Sequence, residues 1–137
     1  QPCSSAASDV YKRQIYDSNK KELLLSNAGH EPPLIFSKEG SFSSFTEAGP
    51  PLGIMPNTKY TEHKISFLES SMYIFTDGIT EIKNPKGEML GSEGFQNYIK
   101  KHQSKPNSER LNIIVSEILN EGHVQKDDLT IVAVDGN

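Results

Sequence analysis

YIFTDGITE, residues Tyr73 to Glu81, runs from an apolar, strand-like stretch straight into an aspartate and a glycine. KDDLTIVAV, Lys126 to Val134, places its aspartates just before a second apolar run. A fold that pairs the two runs sets Asp77 and Asp127 side by side, although 50 residues separate them in sequence. Only a sheet assembled over that distance can do so, and two carboxylates brought together this way offer oxygen ligands to a hard metal ion.

Working upstream, Met72 to Thr76 is continuously apolar and reads as an interior strand, whereas Thr61 to Phe67 alternates, with His63, Ile65 and Phe67 on one face. Glu47 to Pro56 holds Gly49, Pro50, Pro51, Gly53 and Pro56, a loop of restricted shape. Short strands are predicted before it: one from Ile15, then Leu23 to His30 after a polar turn at Ser18 to Lys21, then Pro33 to Ser37 and Ser41 to Phe45. Ser4 to Gln14, SSAASDVYKRQ, resembles the translated read-through of a sequencing adapter. Residues 1–14 are accordingly expected to be a non-native or disordered tail, and 15–137 the folded part.

Downstream of Asp77 the hydrophobic period changes from 2 to 3.6. Ser92 is expected to cap a helix whose Phe95, Tyr98 and Ile99 share a face and which ends before Pro106. A second helix opens near Asn107 or Ser108, gathers Leu111, Ile114, Val115, Ile118 and Leu119 into a stripe, and stops at Gly122. Strands, two amphipathic helices and a final strand over Leu129 to Val134 make an α+β layered domain.

Composition removes several classes of function. Lys and Arg number 14 against 18 acids, for a net charge of −4, and no basic stripe carries interleaved aromatics, so nucleic acid and anionic membrane are poor partners. No apolar run approaches the roughly 18 residues of a membrane span. The single cysteine, Cys3, forms no internal disulfide and has no zinc-type neighbours, which fits a reducing, cytoplasmic compartment.

The chemistry therefore rests on Asp77, Gly78, Asp127 and Asp128. An Asp-Gly after a strand is most often a plain turn; the second acidic motif before another buried strand is what raises it to a metal site. Gly78 is expected to let the backbone turn sharply. Oxygen ligands without clustered His or Cys select Mg²⁺ or Mn²⁺ over zinc. An aspartyl nucleophile would need an acid two residues before Asp77, where Phe75 stands, and no serine occupies a nucleophile elbow. His30, in the turn SNAGHEPP, is placed to reach a site on the same sheet edge, whereas His63 reads as a strand residue and His102 and His123 as solvated helix-end residues. Asp135-Gly136 reads as an exit turn.

Four segments in order, SNAGHEPPLIF, GPPLGI, YIFTDGITEIKNPKGEMLGSEGF and KDDLTIVAV, resemble the SpoIIE-like branch of the metal-dependent (type-2C) serine/threonine protein phosphatases over about residues 15–135. The resemblance implies a type-2C α-β-β-α sandwich of antiparallel sheets flanked by helices, N-terminally truncated, with two Mn²⁺ or Mg²⁺ ions at one end. It implies Asp77 and Asp127 as catalytic metal ligands, Gly78 at the metal, and Asp128, Asn27 and His30 as supporting residues. It also implies hydrolysis of phosphoserine or phosphothreonine by metal-activated water, on a phosphorylated regulatory protein of the anti-anti-sigma kind. The alternative is a non-catalytic signalling module that keeps the phosphatase fold.

The sequence departs from that family at one point. A further metal-binding Asp-Gly pair belongs in an early strand, but Asp9 and Asp17 are the only earlier aspartates and neither precedes a glycine. The chain as written is expected to be inactive or nearly so.

Overall fold

The computed structural model describes residues 11–45, 47–125 and 128–136. Strand β1 (Tyr11–Asp17) turns at residues 18–21 into β2 (Glu22–Ala28), followed by β3 (Leu34–Phe36), β4 (Phe42–Ser44), β5 (His63–Ser66) and β6 (Ser71–Phe75). Helices α1 (Asp77–Thr80), α2 (Gly91–His102) and α3 (Asn107–Asn120) precede the last strand, β7 (Ile131–Asp135). Two antiparallel sheets result, in the orders β1-β2-β5 and β4-β3-β6-β7.

Strict alternation along β6 explains the layering. Met72 and Ile74 face the first sheet and, with Ile35 and Val134 of their own sheet, pack with Leu23, Ile65 and Phe67. Tyr73 and Phe75 point the other way, into a core shared with Ile79, Phe95, Ile99, Ile114 and Ile118 from the helices. Such a strand buries both faces, and so it reads as a continuous apolar run. Each fully buried large side chain removes enough apolar area to contribute about 1.5–3 kcal/mol. Phe75 and Phe95 add an edge-to-face contact at 5.2 Å between ring centroids.

Some boundaries and roles differ from the sequence expectation. Tyr11 to Gln14, assigned to the tail, pair with Ala28 to Leu25 as the first half of β1. Ser92 does not cap α2: Leu90 occupies that position, no side chain bonds the end, and Ser92 lies within the helix. In α3 the apolar stripe is narrower than expected. Leu119 is 40% exposed, whereas Arg110, a charged residue, is 4% exposed.

Arg110 is satisfied there because its guanidinium donates to the Tyr73 hydroxyl at 2.9 Å, to both carboxylate oxygens of Asp135 at 3.0 and 3.1 Å, and to the Lys105 carbonyl. Asp135 is thus the terminal residue of β7 and an anchor for α3, not an exit turn. Burial pushes the Asp135 carboxyl upward, but hydrogen bonds from Arg110 and Ser71 outweigh it and hold the group below its ordinary value. His102 is likewise not solvated; its ring pairs with Glu117 across the α2–α3 contact.

Candidate active site

The ladder between β6 and β7 ends with Phe75 opposite Ile131. One residue further, Thr76 extends it: its amide donates to the Thr130 carbonyl at 3.1 Å. Its hydroxyl accepts from the Thr130 amide at 3.1 Å and donates to the Asp128 carbonyl at 3.2 Å. The two acidic motifs are therefore fastened to each other through one threonine side chain. Asp77 then opens α1, a single helical turn, with its side chain exposed and its carbonyl accepting from the Thr80 hydroxyl and the Glu81 amide.

Gly78 is required for a different reason from the one expected. It has no positive φ; instead, a β-carbon built on it would lie 2.3 Å from the Asp128 carbonyl oxygen. The residue has no side chain because the backbone of the second motif passes through that space.

From the first sheet, the connection between β2 and β3 crosses the end of the sandwich and carries His30 with it. Asn27, 3% exposed, holds this crossing shut: its side-chain amide donates to the His30 carbonyl at 2.8 Å and its side-chain oxygen accepts from the His30 amide at 2.9 Å. The turn demands Gly29, which has φ +81° and sits against Pro51 of the GPPLGI loop. His30 Nδ1 lies 3.2 Å from the Glu31 carbonyl, which also accepts from Lys12 Nζ at 2.7 Å. Burial lowers the Lys12 ammonium to about 8, with Glu31 opposing the shift.

Gly29, His30, Glu31, Thr76 and Asp77 line one cleft of about 200 Å³. The structure thus brings Asp77 and His30 together from opposite sheets, and places Gly78 and Asp128 in backbone contact behind them. Asn27 supports the turn from within. Asp127 lies outside the described residues, as does Lys126. Thr76 and Glu31 were not singled out from sequence; Thr76, sitting between an apolar strand and the aspartate, was the legible one, since a hydroxyl there can bridge two strand ends.

The donors agree in kind with a hard divalent ion, since the exposed carboxylate of Asp77 offers oxygen atoms and the described residues include no cysteine. Among the described residues no group of three His, Cys, Asp or Glu side chains is placed to hold a metal.

Compared with known proteins, the sequence matches the Stage II sporulation protein E (SpoIIE) family over residues 6–137. The chain belongs to the SpoIIE family. Two curated proteins are similar to this SpoIIE-family chain. Protein IcfG of Synechocystis is 32% identical over 123 residues, covering 88% of the chain and 19% of IcfG. The phosphoserine phosphatase RsbU of Bacillus subtilis is 27% identical over 122 residues, covering 87% of the chain and 36% of RsbU. The manganese-presoaked phosphatase domain of the cell-fate determinant SpoIIE from Bacillus subtilis superimposes with a TM-score of 0.68 at 19% identity, over 94% of this chain and 57% of that one. The fold is that of a type-2C phosphatase, and the chain is a partial domain, spanning well under half the length of either curated relative.

Proposed function

We propose that the protein containing this chain is a metal-dependent phosphatase that hydrolyses phosphoserine or phosphothreonine on a phosphorylated regulatory protein, of the anti-anti-sigma type, with Mn²⁺ or Mg²⁺ as cofactor. The observation that carries this reading is the cleft in which the exposed Asp77 carboxylate meets the His30 turn, with Asp128 fastened behind it through Thr76. RsbU, a phosphoserine phosphatase by name, and the manganese-presoaked SpoIIE domain support the reaction class and the metal.

Asp77 and Asp127 would hold the ions, assisted by the backbone at Gly78 and by Asp128. Bound there, a divalent pair supplies a water activated for in-line attack on phosphorus. The chain's own residues do the positioning. Thr76 fixes the distance between the two acidic segments, Gly78 leaves the room for them to approach, and Asn27 locks the loop that closes the other side of the cleft.

The test uses the full-length gene product. It is expected to hydrolyse p-nitrophenyl phosphate with Mn²⁺, and Asp77→Ala is expected to lower the rate by at least about a hundredfold, more than loss of an outer-shell partner costs. Undiminished activity in Asp77→Ala overturns the ligand assignment. A wild-type protein that hydrolyses no phosphate ester with Mn²⁺ or Mg²⁺ overturns the phosphatase reading.

A further inference from the structure

Beyond α1 the chain builds a small platform of three paired segments. Lys83 pairs antiparallel with Met89 on one side and bridges Val124 on the other. Asn84 fixes the turn between Lys83 and Met89: its side-chain oxygen accepts from the Lys86 and Glu88 amides, and its side-chain amide donates to the Glu88 carboxylate at 2.8 Å. The Val124 amide donates to the Lys83 carbonyl at 2.8 Å and ties in the third segment. Side chains directly opposite on paired strands share a face, so Met89, Lys83 and Val124 form one row with neighbours roughly 5 Å apart.

That row faces outward. Ile82, before Lys83, is buried, and Leu90, after Met89, packs on the core shared with the helices. Met89 and Val124 remain 60% and 55% exposed. Exposed apolar side chains scattered singly are ordinary on a protein surface. Two of them held by backbone bonds on either side of a lysine are not, because the fixed turn gives them no way to fold inward. Among the described residues the Lys83 ammonium makes no ion pair or hydrogen bond, although the chain carries a net charge of −4.

Position in the chain points to the occupant. Lys83 lies six residues after Asp77 and Val124 four before Asp128, so even a fully extended chain keeps them within about 20 and 14 Å of those residues. The segment running out from Asp77 and the one running in to Asp128 are thus fastened together twice, at Thr76 and at Lys83. Resting on the phosphatase reading above, we propose that the row docks the phosphoprotein substrate by an acidic side chain set between apolar ones, apart from the phosphoserine itself. The cleft presents the carboxylates of Asp77 and Glu31, which repel an acidic segment, whereas Lys83 attracts it. Met89 and Val124 flank that contact with apolar surface, which excludes water and strengthens the pairing.

The test uses phosphoserine peptides of about fifteen residues, long enough to reach about 23 Å to either side of the phosphate. Their two ends carry Leu-Glu-Leu, Leu-Lys-Leu or Ala-Glu-Ala. With the full-length protein and Mn²⁺, kcat/KM for the Leu-Glu-Leu peptide is expected to exceed that for each of the others by about tenfold. Lys83→Glu is expected to reverse the order of the Leu-Glu-Leu and Leu-Lys-Leu peptides. Met89→Ser combined with Val124→Ser is expected to bring Leu-Glu-Leu and Ala-Glu-Ala within about twofold of each other. Both variants should keep the parent's melting temperature and its turnover of p-nitrophenyl phosphate, which is too small to span from the cleft to the row. A parent indifferent to the three peptides overturns the docking site, as does either variant that keeps the parent's preferences. Variants that melt well below the parent, or lose p-nitrophenyl phosphate turnover in step with the peptides, would make the row part of the full-length protein's interior and overturn it too. A parent that hydrolyses neither p-nitrophenyl phosphate nor any peptide defeats the phosphatase reading instead, an outcome distinct from the others.

Discussion

The Thr76 hydroxyl donates to the Asp128 carbonyl at 3.2 Å while accepting from the Thr130 amide, and so joins the two acidic motifs where the ladder between β6 and β7 ends. Replacing that hydroxyl by a methyl group keeps the shape and removes both bonds. Thr76→Val is expected to cost about 1–3 kcal/mol, because a carbonyl and an amide lose their partner. Urea unfolding of Thr76→Val and Thr76→Ser measures it. Serine, which keeps the hydroxyl, should retain most of the stability; equal losses in both variants would show that the methyl packing matters and the bridge does not.

Gly78 tests the same junction by volume. A β-carbon there would meet the Asp128 carbonyl oxygen at 2.3 Å, a distance no relaxed structure keeps, so the Asp128 segment must move. Gly78→Ala is expected to destabilise the fold by about 1–3 kcal/mol, as overpacking does. Because the displaced segment carries Asp127 and Asp128, phosphatase activity in the full-length protein should fall further than the stability loss explains. Unchanged urea midpoint and unchanged rate together would refute the close approach.

How far the sequence foretold this arrangement follows from where each signal resides. The pairing of β6 with β7 was legible because both strands bury apolar side chains, and burial leaves a local pattern. α1 was not, since four residues cannot show a helical period. Gly78 was flagged for a sharp turn, but its constraint is a carbonyl 50 residues later, which no local pattern encodes. Arg110 lay outside the α3 stripe read from the sequence, because the partners that bury it, Tyr73 and Asp135, lie on other elements. Ser92 read as a cap on composition alone, and the chain instead enters α2 through Leu90. His30 and Asn27 were visible as a turn; what that turn faces depends on the crossing from one sheet to the other.

Arg110 and Asp135 give the fold a pH dependence of definite direction. Folded Asp135 titrates below its ordinary 3.8, so its contribution is complete above that value and is lost as pH falls through the lower, folded one. Asp135→Asn is expected to flatten the acid limb of a stability–pH curve. At pH 7 it should cost about 3 kcal/mol, the lower range for breaking one side of a buried pair, because Arg110 remains 4% exposed with a weakened partner. Arg110→Met, which removes the buried charge itself, should be the milder change, as Asp135 keeps a hydrogen bond from Ser71 and partial access to water. A greater loss in Arg110→Met than in Asp135→Asn would reverse the assignment of which charge needs the pair.

Metal binding by the chain itself separates a partial site from a complete one. Mn²⁺ and Mg²⁺ are held by several oxygen ligands, and affinity rises with the number of carboxylates and the rigidity of their arrangement. Asp77 is exposed, and among the described residues no three acidic, His or Cys side chains converge. Asp127 would add one more carboxylate, which still leaves the ions mostly water-bound. Calorimetric titration of the 137-residue chain with Mn²⁺ is expected to give a dissociation constant weaker than micromolar, and Asp77→Asn should weaken it further. Tighter binding would show that this segment holds a complete ligand set. Weak binding that Asp77→Asn leaves unchanged would locate the residual ion elsewhere on the acidic surface and remove Asp77 from the ligands.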